Sequence, residues 1–280
     1  MNSLERAVRA RATDVYQRVL PDEMRSALRH RLVLNPVTRR LYDDYAELDA
    51  IDAAVRRIGR GSESVLNGGS TAGMTERVVE IPWVLSRYRG ERRVLDIGPA
   101  YALPLYIQGL RRLRIPELHG VDLSKRQIPG MAVTRADVRK MPFPDGWFDL
   151  ILCVSTLEHI GRDNAHYQVV ANADVEEGDV TALTEMRRVL APAGRILISV
   201  PFGKLDVQSW QKQYDLAAWE ALLRRTGLRA TEREWFGYDT AGWHRMEGPE
   251  SLADHDYQGH GAPAATGVHC AVLTHQDLRD

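Results

Sequence analysis

Cysteine is nearly absent from this chain. Its 280 residues contain two, Cys153 and Cys270, which excludes a disulfide framework as the source of the fold. Both fall in apolar, strand-like runs, Ile151-Leu152-Cys153-Val154 and His269-Cys270-Ala271-Val272-Leu273, and read as buried thiols. Net charge is missing too: 37 Lys and Arg stand against 38 Asp and Glu, leaving −1, so there is no global pull toward nucleic acid or an anionic membrane. No apolar run approaches the ~20 residues that cross a bilayer. Met1-Asn2-Ser3-Leu4-Glu5-Arg6 lacks the apolar core of a secretion signal, so a cytoplasmic protein without a membrane span is expected. Repeats and low-complexity tracts are also absent. The length suits one large domain plus an accessory segment.

What is present begins with Val94-Leu95-Asp96-Ile97-Gly98-Pro99-Ala100, an apolar run that ends on a carboxylate and a glycine turn. In an open α/β sheet, ligands bind outside the carboxyl ends of the strands, so a charged side chain there is aimed at a ligand. A second run, Leu118-His119-Gly120-Val121-Asp122, ends on another acid, and Ala136-Asp137-Val138 follows. The spacings of 26 and 15 residues match a strand plus a helix, then a short strand plus turns. Three successive units therefore present one carboxylate each along one crevice. Carboxylates accept from ribose hydroxyls, an adenine amino group and an ammonium, and they suit a pyrophosphate poorly. A dinucleotide fingerprint carries three glycines and an acid about 20 residues on. Here Gly98-Pro99-Ala100-Tyr101-Ala102 keeps only the first glycine.

On these residues the chain resembles, from about Arg77 to Thr274, the class I S-adenosylmethionine-dependent methyltransferases, small-molecule type, typified by ubiquinone and sugar-modifying enzymes. Phe148 to Ile160 is similar to the family's fourth strand and active-site turn. Leu183 to Pro201, through Pro192-Ala193-Gly194, is similar to its helix, turn and fifth strand. The resemblance implies a Rossmann-like seven-stranded sheet with helices on both faces and an antiparallel last strand, plus an N-terminal helical extension. It implies S-adenosylmethionine as cofactor, with Asp96, Gly98 and Ala100 at its methionine end. Asp122 would meet the ribose and Leu123 the adenine flank, Asp137 and Val138 would meet the adenine edge, and Ser155 would lie at a strand end within reach. In that sheet a fifth strand separates the two cysteines, too far apart for a disulfide.

Residues 1–60 read as helical. Leu41, Tyr45, Leu48, Ile51, Val55 and Ile58 recur at steps of three and four, and glycines follow. Arg6, Arg9, Arg11, Arg18, Arg25, Arg29, Arg31, Arg39 and Arg40 outnumber the acids there. A solvated helix face is the simpler reading, and a surface for phosphate or anionic lipid is the other. Residues 61–74 read as a small-residue linker or lid, and 75–280 as the methyltransferase domain. Thr75-Glu76 opens a helix that brings Arg77, Glu80 and Trp83 toward the ligand edge, where Trp83 faces the cofactor or packs on the first strand. Tyr101 to Leu113 and Asp215 to Arg225 are expected helices, Glu117 to Val121 the second strand, and Arg229 to Trp235 and Val268 to Thr274 the last two strands.

Methyl transfer from a sulfonium is an in-line displacement that needs a positioned nucleophile and, for an alcohol, a base. His159, in Glu158-His159-Ile160, is a candidate base or a packing residue, with Glu158 as its orienter. Tyr238 to Ala262 reads as a long loop over the acceptor, carrying Trp243, His244 and a second candidate base, His255. Asp254-His255-Asp256 with His260 has no metal-ligand spacing, so no metal is assigned, and Tyr101 stands near the cofactor. The expected function is methyl transfer to a hydroxyl or amine of a small molecule, most readily a sugar or natural-product intermediate. A non-catalytic scaffold is the alternative, motivated by the altered glycine turn. A nucleic-acid substrate is disfavoured, because Ser155-Thr156-Leu157-Glu158 replaces the Asn/Asp-Pro-Pro-aromatic tetrad of base-methylating enzymes. A homodimer is left open.

Overall fold

The computed structural model describes residues 28, 31–42, 44–58, 60, 65–66, 68–164 and 177–276. The strands are β1 (Arg93–Ile97), β2 (Glu117–Asp122), β3 (Ala132–Arg135), β4 (Phe148–Val154), β5 (Leu190–Pro201), β6 (Asp206–Val207), β7 (Lys212–Gln213), β8 (Leu228–Asp239), β9 (Gly242–Met246) and β10 (Gly267–His275). The helices are α1 (Tyr45–Ile58), α2 (Arg77–Ser86), α3 (Pro104–Arg112), α4 (Gly178–Val189) and α5 (Leu216–Thr226). The main sheet runs β3-β2-β1-β4-β5-β10-β8-β9, with β6 and β7 paired separately. Strands β1 to β5 are mutually parallel, β10 is antiparallel to both β5 and β8, and β9 is antiparallel to β8. The chain moves outward from β1 to β3 and then returns to β1's other side at β4, which opens a crevice at the carboxyl ends of β1 and β4.

The two-residue side-chain period of the strands sorts the core into two layers. Val94, Leu150, Leu152, Leu197, Cys270 and Val272 face α1, α2 and α3. Leu95, Ile97, Ile151, Cys153, Ile196, Ile198 and Ala271 face α4 and α5. Asp96 has the parity of Val94, so its carboxylate is delivered to the α1–α3 layer. Cys153 and Cys270 are buried free thiols on opposite faces of the sheet, and burial pushes both well above the usual thiol range.

The sheet has eight strands instead of the expected seven. The additional one, β9, lies inside the stretch read as a loop: Asp239 accepts from the Ala241 N–H at 2.7 Å and closes a tight turn. Gly242, at φ 114°, then starts the return strand. Its side chain would otherwise collide with Thr71, whose Oγ1 lies 2.3 Å from a Cβ built there. β8 consequently runs to Asp239, beyond the expected Trp235. The first crossover helix starts at Pro104, after a separate 3₁₀ turn Pro99–Tyr101. Asp215 caps α5 by accepting from the Ala218 N–H at 2.7 Å.

Toward the N-terminus, residues 31–34 are helical, Thr38–Leu41 form a 3₁₀ turn, and α1 buries Leu48, Ile51 and Val55 against α2 and α3. The solvated-face reading fails at Arg39, which is 0% exposed. It donates to Leu48 O at 3.1 Å and to Asp52 at 2.9 Å. Burial raises the Asp52 carboxyl, but Arg56 and Arg39 outweigh it and hold the group below its usual range. Arg31 and Arg40 are exposed. Arg6, Arg9, Arg11, Arg18, Arg25 and Arg29, and the linker residues 61–64 and 67, lie outside the described residues. No helix among the described residues is long and apolar enough to cross a membrane.

Candidate functional site

The end of β1 is built for close approach. Gly98 sits in the left-handed region (φ 72°, ψ 39°) and donates to Val121 O at 2.9 Å. A Cβ there would meet Thr156 Cγ2 at 2.7 Å, so this position requires glycine for both its conformation and its contact. The 3₁₀ turn that follows aims the Ala100 N–H at Asp122 Oδ2, at 3.0 Å. The other Asp122 oxygen accepts from the Ser124 N–H at 2.7 Å. Arg126 lies over the Tyr101 ring at 4.3 Å and donates to Ala100 O at 3.3 Å. The turn Gly98-Pro99-Ala100-Tyr101-Ala102, with its single glycine, is thus braced from β2's end.

Asp96, Asp122 and Asp137 line one cavity of about 470 Å³, within the range of small-molecule sites. Asp96 is 1% exposed. Its Oδ1 accepts from the Tyr106 hydroxyl at 2.9 Å, while its Oδ2 is buried with no hydrogen-bond partner. Burial, partly opposed by Tyr106 and reinforced by Asp122, pushes its carboxyl up to about 8. Asp137 caps its own turn by accepting from the Arg139 N–H at 2.9 Å and binds that guanidinium with both oxygens. Burial works against ionisation there, but the Arg139 bonds prevail and hold it below the usual range.

Gly98, Leu123, Val138, Ser155, Tyr101, Arg77 and His159 line the same cavity. Ser155 is left-handed at φ 41°, and its hydroxyl donates to Glu80 Oε1 at 2.6 Å. Arg77 donates to the other Glu80 oxygen at 3.0 Å. His159 Nδ1 is 2.8 Å from Trp210 O, and its ring stacks on Trp210 at 5.7 Å. A carbonyl can only accept, so the Nδ1 proton is fixed and Nε2 is the nitrogen left to exchange one. Glu158 is 2% exposed, with Oε1 3.8 Å from His159 Nε2, and burial drives its carboxyl well above the usual range.

The remaining expected residues are not among those that line the cavity. Ala100 contributes its N–H to Asp122 instead. Trp83 is buried on α2, donates to Glu234 at 3.1 Å and lies beneath Arg87. Trp243 is buried on β9, where its indole donates to Met74 O at 3.0 Å. His244, also on β9, pairs with Asp239 at 3.0 Å, and His255 donates through Nδ1 to Thr266 O at 3.1 Å. Tyr106, Glu47 and Glu76 are among the residues of the site that carried no role in the sequence reading. Tyr106 sits on Asp96, while Glu47 and Glu76 line the cavity from the helical segments. The one signal for Glu76 was its place in the Thr75-Glu76 helix start, where it reads as a capping residue.

A carboxyl-lined crevice with a glycine floor and an orphaned buried carboxyl oxygen suits a ligand rich in hydrogen-bond donors and offers little to a pyrophosphate. Residues 95–198 match the family model described as "Methyltransferase domain". The chain is 34% identical over 89 residues to a ubiquinone/menaquinone biosynthesis C-methyltransferase of Paraburkholderia phymatum, covering 31% of this chain and 28% of that protein. It is 27% identical over 139 residues to a probable tRNA methyltransferase 9B of Mus musculus, covering 50% and 26%. The chain thus spans about a quarter of the length of these two relatives. A 1,6-didemethyltoxoflavin-N1-methyltransferase structure from Burkholderia thailandensis superposes over 92% of each chain with a TM-score of 0.46 and 15% identity. Over residues 95–198, then, the chain is similar to a methyltransferase domain.

Proposed function

We propose that this protein transfers a methyl group from S-adenosylmethionine to a nucleophilic hydroxyl or amine of a small molecule. The observation that carries this reading is the convergence of Asp96, Asp122 and Asp137 on one cavity beside Gly98. Asp96 and Gly98 would receive the methionine end of the donor, Asp122 the ribose hydroxyls, and Leu123, Asp137 and Val138 the adenine. The donor, when bound, supplies an electrophilic methyl carbon on a sulfonium. The protein's own task is to bind, to exclude water and to hold a nucleophile about 3 Å from that carbon. Residues 75–280 hold this machinery, and Glu47 from α1 also lines the cavity. His159, with its Nδ1 proton committed to Trp210 O, can take a proton at Nε2. A sugar or natural-product acceptor and a cytoplasmic setting belong to the same reading.

Calorimetric titration with S-adenosylmethionine and S-adenosylhomocysteine tests it: both bind, and absence of binding by either refutes the donor site. Asp122→Ala is expected to weaken S-adenosylhomocysteine at least tenfold. The substitution removes both the ligand's acceptor and the group that holds the Ala100 and Ser124 amides, each buried hydrogen bond being worth about 1 kcal/mol.

A further inference from the structure

The cavity is also lined by residues of the helical segments, Asp44 and Glu47 from α1's start and Thr75, Glu76 and Arg77 from α2's start, and their partners are unevenly shared. Both Glu47 oxygens are taken, by the Thr75 hydroxyl at 2.6 Å and the Thr75 N–H at 2.9 Å. Glu80 is taken by Ser155 and Arg77. Glu76 is left over. It is 9% exposed, lines the cavity, and its Oε2 is buried with no hydrogen-bond partner. Its Oε1 is 4.0 Å from Arg77 Nε, an arginine already engaged by Glu80. A carboxyl group in a cavity wall with one oxygen buried and unpartnered is costly unless a ligand supplies a donor to the group.

We propose that Glu76 receives a protonated nitrogen of the methyl acceptor, so that the substrate is a small amine and the product is methylated at nitrogen. This rests on the donor-site reading above. The acceptor's ammonium passes one proton to the Glu76 carboxylate. The freed nitrogen lone pair forms the bond to the donor's methyl carbon as the carbon–sulfur bond breaks, and that electron pair stays on sulfur. The surroundings favour this chemistry. Glu47 from α1 and Glu80 from α2 face Glu76, against Arg77, and Glu158 from the turn after β4 stands close by with His159 beside it, its own carboxyl held from ionising by burial. An anionic acceptor would meet unfavourable charge there. Burial, opposed by Arg77 and by Glu76's own backbone N–H and reinforced by Glu80 and Glu47, brings the Glu76 carboxyl up to about 7. Proton transfer to it from an alkyl ammonium is uphill by about 3 pKa units, far less than from an alcohol.

The test uses the full chain saturated with S-adenosylhomocysteine and a matched panel of small primary amines, the corresponding alcohols and the corresponding carboxylates, scored by saturation-transfer NMR. Amines are expected to bind in preference to the other two. Glu76→Gln should weaken them at least tenfold while keeping the melting temperature and S-adenosylhomocysteine affinity of the parent. Calorimetry at pH 6.5 in buffers of different ionisation enthalpy should show proton release on amine binding to the parent and none with Glu76→Gln, a difference that a purely structural glutamate would not produce. Preference for carboxylates or alcohols, amine affinity indifferent to Glu76→Gln, or no amine bound by a protein that does bind S-adenosylhomocysteine would each overturn the inference. Failure to bind S-adenosylhomocysteine at all would remove the donor site and this inference together.

Discussion

A carboxyl buried away from water with one oxygen facing no partner holds its proton to higher pH, even though a tyrosine hydroxyl on its other oxygen favours ionisation. Asp96 is in that state, its folded value about 8 against about 3.9 in an unfolded chain. Between those limits the folded protein holds a proton that the unfolded chain has released, so stability falls as pH rises through the window. Each pH unit with one proton so retained removes about 1.4 kcal/mol, or roughly 2–4 °C in Tm for a chain of this size. Asp96→Asn carries no such proton. Ligand-free Tm measured from pH 5 to 8 is therefore expected to decline less steeply in Asp96→Asn than in the parent, and equal slopes would show that Asp96 ionises normally. Nothing in the sequence marks this state. The acid at the strand end is legible, but Tyr106, which sits on it, lies a helix turn into α3 and is brought there by packing.

At the scale of elements, the turn from β1 to α3 is where local rules and tertiary contact meet. Gly98 is at φ 72° with Thr156 against it, whereas Gly68, at φ 74°, has nothing within 4 Å of an added Cβ. Gly68→Ala is expected to cost only the left-handed penalty of about 1–2 kcal/mol. Gly98→Ala adds the collision with Thr156 and displaces the turn that aims Ala100 at Asp122. Urea denaturation should rank Gly98→Ala as the more destabilised, and calorimetry should show S-adenosylhomocysteine affinity lost in it and kept in Gly68→Ala. Strands β1 and β2 were readable, because their apolar runs stop at an acid or a glycine, and so was the Asp215 cap of α5, whereas Glu76 at the expected capping pair makes no side-chain cap. β9 was not readable: five residues containing Trp243, His244 and Arg245 carry no clear alternation, and their pairing with β8 is what makes them a strand.

Across the whole molecule, the far edge of the sheet holds the segment that precedes α2. The Thr71 hydroxyl accepts from the Trp243 N–H at 2.6 Å, the Gly73 N–H donates to the Tyr238 hydroxyl at 2.6 Å, and the Trp243 indole donates to Met74 O. The described part of the expected lid is thus fastened to β8 and β9, and it leads directly into Thr75, Glu76 and Arg77 at the cavity. Trp243→Ala, a large-to-small change at a buried site, is expected to cost about 3–5 kcal/mol and to speed amide exchange at Gly73 and Met74 before it affects α4 or α5. Uniform exchange throughout the chain would show that no such separate fastening exists.

The sequence by itself determined the alternation of strands and helices and the three aspartates that follow the strands, because strand length, side-chain alternation and turn chemistry are local properties of consecutive residues; the order of the strands in the sheet was implied only by the family resemblance. Only the tertiary structure decided which groups meet those aspartates and one another. Tyr106 on Asp96, Arg39 within the helical layer, Trp243 turned onto Met74 and Glu76 without a partner all depend on elements distant in sequence. Burial in a low-dielectric interior and the geometry of packed layers have no signature in the spacing of residues along the chain.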